Sequence, residues 1–140
     1  MSLRIDSRSA SSNVAAVHIT ENDSGADVQF TAAPCGCSES LWFNFRLRAS
    51  APDAPHPDKV TLTLLYVRSM TGCESPAAIR PVYRGDKQGW SRTKAGHVTV
   101  ADDGQLSVSW DIPYPDPHTD IALCYPYEQA ELQSLVRKSK

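Results

Sequence analysis

The chain has 140 residues, 41% apolar and 21% charged, with 14 Lys and Arg against 16 Asp and Glu. At that length folding buries roughly 70% of the surface the unfolded chain exposes, so one compact domain can form without metal or disulfide staples. A formal net charge of -2 supplies no broad basic field, so no nucleic acid or membrane partner is expected. There is no run of about 18 apolar residues, and the first residues are polar and rich in Arg and Ser, so neither a transmembrane helix nor a secretory signal is expected. The expected location is cytoplasmic.

Ten prolines against seven glycines argue against a helical protein, because each proline removes a backbone donor. Weak strand signals at 14–19 and 28–33 flank the breaker Asn22-Asp23-Ser24-Gly25. The clearest strand is 41–48, where Leu41, Phe43, Phe45 and Leu47 alternate with Trp42, Asn44, Arg46 and Arg48, a period of two that puts one face in a core. After the proline-dense segment 51–57, residues 60–66 repeat the pattern with Val60, Leu62, Leu64 and Tyr66 inward and Thr61 and Thr63 outward. Shorter candidates follow at 79–83, 90–93 and 98–100. Asp103-Gly104 then predicts a tight hairpin, since positive φ is cheap there. Its second strand, 106–112, has Leu106, Val108, Trp110 and Ile112 on one face and Ser107, Ser109 and Asp111 on the other, and 120–124 is the last candidate. About nine short strands at this spacing predict an all-β, antiparallel two-sheet sandwich over residues 1–126.

Only 127–138 reads as helix: Leu132, Leu135 and Val136 follow a three-four spacing, with Glu128 and Glu131 early and Arg137 and Lys138 late, the charge order that suits the helix dipole. No Gly or Pro closes it. Residues 127–140 are therefore expected either as a frayed terminal helix or as a connection into a further domain.

The residues offer little chemistry of their own. Cys35, Cys37, Cys73 and Cys124 are expected as thiols in a reducing compartment, and Cys35-Gly36-Cys37 falls short of the four ligands of a structural zinc site. His18, His56, His97 and His118 are scattered. His18-Ile19-Thr20-Glu21 is formally H-x-x-E, but no matching third ligand accompanies it. No G-x-S-x-G elbow or phosphate-binding glycine loop occurs, and Ser40 and Ser69 lack an activating context. Asp102-Asp103 is accounted for by its turn. No catalytic residue, metal ligand or cofactor is expected in this chain.

Five segments in order, Ile5-Asp6-Ser7, Leu41-Trp42-Phe43-Asn44-Phe45-Arg46, Pro81-Val82-Tyr83, Gly89-Trp90-Ser91-Arg92 and Ala122-Leu123-Cys124-Tyr125-Pro126-Tyr127, carry a resemblance. Together they resemble the N-terminal domain of zinc metallocarboxypeptidases of the cytosolic-carboxypeptidase subfamily, within the carboxypeptidase-A-like superfamily. Arg8-Ser9 stands where that family commonly has Gly-Asn, and Glu128 where it has a helix-capping Ser or Thr. The resemblance implies a non-catalytic β-sandwich that packs beside the protein's own C-terminal peptidase domain and shapes the cleft for a peptide or protein substrate. It places the zinc, its H-x-x-E ligands and the catalytic glutamate in that following domain.

The expected docking surface comprises Trp90, Arg92, Tyr125, Pro126, Tyr127, Leu132, Leu135 and Val136. Pro126 would fix the direction in which the chain leaves the sandwich. Self-association, as a homo-oligomer, is the expectation for the isolated chain. The alternative is an independent sandwich that binds protein or carbohydrate, for which Trp42, on the polar side of its strand, is the candidate aromatic.

Overall fold

In the computed structural model the described residues are 3–6, 14–23, 25–32, 43–51, 53, 57–67, 75–85, 89–114, 118–123 and 129–139. Ten strands among them form two five-stranded sheets. In spatial order the first sheet contains β1 (Leu3–Asp6), β4 (Asn44–Ala49), β10 (His118–Ala122), β6 (Val82–Arg84) and β7 (Ser91–Arg92). The second contains β2 (Val14–Asn22), β3 (Gly25–Ala32), β5 (Lys59–Leu64), β9 (Leu106–Pro113) and β8 (His97–Val100). A 3₁₀ turn spans Pro76–Ala78, and α1 spans Gln129–Lys138. Residues 127 and 128, where the helix is expected to start, lie outside the described residues.

The period-two residues face each other across the sandwich. Phe43, Phe45, Leu47 and Ile121 from the first sheet join Val28, Phe30, Val60, Leu62, Val108 and Ile112 from the second in one buried cluster. Phe30 meets Phe43 and Phe45 edge-on, with ring centroids 5.0 and 5.2 Å away, the arrangement favoured by the ring quadrupoles. Tyr114, just past β9, spans the core and donates its hydroxyl to the Leu47 carbonyl at 3.3 Å. Burial pushes that phenol well above the ordinary tyrosine value, so it stays a donor. At one edge the Leu3 amide donates to Glu21 Oε1 at 2.6 Å, tying β1 of one sheet to β2 of the other.

Among the described residues every strand pair is antiparallel but one. Strands β3 and β5 run parallel, Ala26 facing Val60 and Phe30 facing Leu64, because the chain crosses to the first sheet as β4 between them and returns in the same direction. The Asp103-Gly104 turn forms as expected: Gly104 has φ 81°, its amide donates to the Ala101 carbonyl at 2.9 Å, and Asp103 Oδ1 accepts from Gln105 N at 3.0 Å.

Two local expectations are corrected, and one strand was not expected. Tyr66 does not point inward; it is 47% exposed with φ 55°, and this left-handed residue ends the alternation and leaves Val67 fully buried in its stead. Strand β6 begins at Val82 and not at residue 79, since Ile79 follows directly on the 3₁₀ turn. The first strand, β1, carried no signal beyond two apolar residues, Leu3 and Ile5, and takes its place from its partner β4. Leu41, Trp42, His56, Ser40, Ser69 and all four cysteines lie outside the described residues.

Candidate functional site

On the outer face of the first sheet, strand pairing lines up Asp6, Arg46, Asp120 and Arg84 across β1, β4, β10 and β6. Asp120 is the hub of this row. Its Oδ1 accepts from Arg46 Nε at 2.8 Å and its Oδ2 from Arg84 Nε at 3.2 Å, while Arg46 adds a second bond to Oδ2 at 3.3 Å. Burial raises the Asp120 carboxyl, but the hydrogen bonds and charges of Arg46 and Arg84 outweigh it and hold the group below its ordinary value. It is therefore a fixed anion at neutral pH and no reservoir of protons. Arg84 also lies over the Trp90 ring, its Cζ 4.6 Å from the centroid, a cation–π contact. Beyond this row, Arg48 stands between Arg4 and His118, with its Nε 3.7 Å from Asp6 Oδ2, an ion contact too long for a hydrogen bond.

The same face changes character two residues along. Asn44, Ala122 and Val82 are aligned by the ladder and point away from the core, with Arg92 next in the row. Yet Ala122 and Val82 are 0% exposed and Asn44 is 8% exposed. An outer row as buried as the core is a covered surface, and alternation alone does not announce it, because one alanine, one valine and one asparagine read as ordinary solvent-side choices.

Of the expected docking residues, Trp90 is half-buried and Arg92 exposed. Arg92 is occupied internally: its Nη1 donates to the Arg80 carbonyl at 2.7 Å. Arg80 Nε donates in return to the Thr93 carbonyl at 2.8 Å, and Thr93 N donates to the Pro81 carbonyl at 2.9 Å. Two guanidiniums thus stitch residues 80–81 to 92–93. Leu135 and Val136 on α1 are 56% and 49% exposed. Tyr125, Pro126 and Tyr127 lie outside the described residues, as does the side chain of Leu132.

No group of three metal-ligating side chains converges among the described residues. His18 and Glu21 share strand β2 at a spacing of three, which turns them to opposite faces, and Glu21 is spent on Leu3 N. No helix among the described residues is long and apolar enough to cross a membrane. What the site offers is positioned charge beside a buried apolar strip.

A two-sheet sandwich of this kind occurs in solved metallo-carboxypeptidases. The fold matches a metallo-carboxypeptidase from Burkholderia cenocepacia at a TM-score of 0.67 and 16% identity, over 98% of this chain and 33% of that one. A metallo-carboxypeptidase from Pseudomonas aeruginosa in complex with (2-guanidinoethylmercapto)succinic acid matches at a TM-score of 0.66 and 17% identity, over 96% of this chain and 33% of that one. The chain therefore spans about a third of the length of these structures, and at such identities the likeness is one of fold. No family model and no curated protein matches the sequence.

Proposed function

We propose that this chain is a non-catalytic accessory domain of a zinc metallocarboxypeptidase of the cytosolic type, packing beside the peptidase domain and contributing to the rim of its substrate cleft in the cytoplasm. The observation that carries the reading is the lopsided coverage: nearly all of this chain aligns with one third of two metallo-carboxypeptidases. The ordered motif series from Ile5-Asp6-Ser7 to Tyr125-Pro126-Tyr127 supports the finer assignment. The half-buried Trp90 and the exposed Leu135 and Val136 of α1 support docking. The described residues do not fit a zinc site, so the reading assigns the metal and the peptide-bond chemistry to the partner domain. An independent carbohydrate module would want an exposed aromatic platform; among the described residues Trp110 is 3% exposed, Trp90 lies beneath Arg84 and Tyr66 is an isolated aromatic at 47% exposure, while Trp42 lies outside them.

The test is the coding sequence downstream of Lys140 together with metal analysis of the chain. An H-x-x-E soon after the helix, and a purified 140-residue chain that holds no stoichiometric zinc and releases no C-terminal residue from peptides, are the expected results. A stop codon directly after Lys140, or one equivalent of tightly held zinc after chelator treatment, overturns the reading.

A further inference from the structure

Two rows on the outer face of the first sheet hold Arg4, Arg46, Arg48 and Arg84 against two carboxylates, Asp6 and Asp120, in a chain whose formal net charge is -2. Asp120 is taken up by Arg46 and Arg84. The other row runs Arg4, Arg48, His118 across three neighbouring strands. It sets the two arginines directly opposite each other at a Cα separation of roughly 4.5–5.5 Å, a like-charge pairing that costs stability. Asp6 reaches Arg48 from the next row only at 3.7 Å, and the Arg48 Nε, shielded from solvent, has no hydrogen-bond partner. Arg4 is exposed and forms no ion pair or side-chain hydrogen bond among the described residues. A buried donor left unmatched beside an opposed pair of charges calls for a reason.

We propose that Arg4 and Arg48 together bind one phosphate group, with His118 flanking it. Two guanidinium forks side by side offer several N–H donors to the oxygens of a single tetrahedral group, whereas a carboxylate is filled by one fork. A phosphate monoester carries about -1.5 to -2 charges at pH 7, which matches two arginines better than one carboxylate does. The seat is also held in advance: Arg48 stands on β4, which the Arg46–Asp120–Arg84 contacts fasten to β10 and β6, so binding has little backbone to order. A long anionic polymer fits less well, because Asp6 and Asp120 in the adjoining row would repel its next phosphate. The inference goes beyond the carboxypeptidase reading and does not depend on it, since the site lies wholly within this chain.

Isothermal titration calorimetry of the intact chain at constant ionic strength tests it, with inorganic phosphate, phenyl phosphate and an alanine-flanked phosphoserine peptide as probes. One equivalent of each should bind with a Kd of about 1 mM or tighter, and neither acetate nor the unphosphorylated peptide should bind. Equal affinities for the three uphold the site with the free ion as its occupant, and a tighter peptide upholds it with a phosphorylated protein. Arg4→Gln and Arg48→Gln should each weaken phosphate binding about tenfold, and Lys138→Gln, which removes a charge from exposed α1, should leave it unchanged. Arg4→Lys keeps the charge without the fork and should fall between the parent chain and Arg4→Gln. Without phosphate, Arg4→Gln should melt no lower than the parent chain, because it relieves an opposed pair of charges; its loss of binding is then not a loss of fold. Absence of saturable phosphate binding, equal binding of acetate, or equal losses from Arg4→Gln and Lys138→Gln would each overturn the proposal.

Discussion

The outer faces of the two sheets solve the same problem with opposite materials. On the first, Asp6, Arg46, Asp120 and Arg84 alternate in sign across four strands. On the second, neutral hydroxyls do much of the pairing, with Thr63 and Ser109 at 2.9 Å and Thr99 aligned with Ser107, beside a single looser ion contact among the described residues, Lys59 with Asp111 at 3.5 Å. Hydroxyl pairs respond to neither pH nor salt, whereas a guanidinium–carboxylate row responds to both. The first face also changes along its strands, from wet charge to the covered row of Asn44, Ala122 and Val82, whereas on the second Thr99 is exposed and Ser107 and Ser109 are half-buried. A surface with such an internal boundary has two environments to satisfy.

Contrasting exteriors should nevertheless rest on one shared interior. Phe30→Ala in the second sheet and Phe45→Ala in the first should each cost about 3–5 kcal/mol, the range for truncating a buried aromatic. Denaturant unfolding would measure both. A large loss from one and almost none from the other would mean that the sheets do not share a core, and the comparison would have to be redrawn as two separate layers.

The passage between the sheets is the next most sensitive place. A Cβ added at Gly96 would lie 2.3 Å from Val108 Cγ2 and 2.7 Å from Trp110 Nε1. Neither neighbour can retreat easily, because Val108 is fully buried and the indole is held by Ile79. Gly96→Ala should therefore destabilise by about 1–3 kcal/mol, the usual cost of overpacking, and alter the Trp110 fluorescence.

How much of this was legible depends on the range of the interaction. Period-two alternation is local, so Phe43, Phe45 and Leu47, Val60, Leu62 and Leu64, and Val108, Trp110 and Ile112 declare their inward face in the sequence itself. The Asp103-Gly104 turn is equally local. Tyr66 misleads because a single left-handed residue resets the alternation, and nothing in a tyrosine foretells positive φ. The Asp120 hub joins residues 74 and 36 positions away, and the neighbouring row brings Arg4, Arg48 and His118 together from three strands. Those sites exist only once the ladder register is known, and individually exposed Arg and Lys residues read as ordinary solvated charge. Trp90 and Arg92 were picked out, yet their binding to Arg84 and to the Arg80 carbonyl was not visible in the sequence.

The charged and hydroxyl faces can be separated directly. Asp120→Asn should cost about 1 kcal/mol, since each exposed ion pair contributes roughly 0.2–1 kcal/mol, while Thr63→Val should stay within about 0.5 kcal/mol. The sign of the acid response follows from the lowered Asp120 carboxyl. A carboxylate depressed in the folded state contributes stability above its unfolded value near pH 4 and loses it as pH falls through the folded value. Thermal melts should thus show the wild type and Asp120→Asn converging below about pH 4, with Thr63→Val offset by the same amount at every pH.

The smallest effect belongs to the edge of the hydroxyl face. Strand β2 skips register between Ala15 and His18, so two residues oppose one on β3, a bulge that bends an edge strand and blunts its pairing with other chains. Ala16 within it has φ 47°, a conformation that costs an L-residue about 1–2 kcal/mol and glycine almost nothing. Glycine in turn loses about 0.4–1 kcal/mol through the greater freedom of the unfolded chain. The two terms oppose each other with the strain the larger, so Ala16→Gly should raise stability by about 0.5 kcal/mol. A loss of stability in denaturant unfolding would show that Ala16 is not left-handed and that β2 runs without its bulge. The second sheet would then end in a regular edge open to strand addition, and its hydroxyl face would differ from the charged one in aggregation as well as in chemistry.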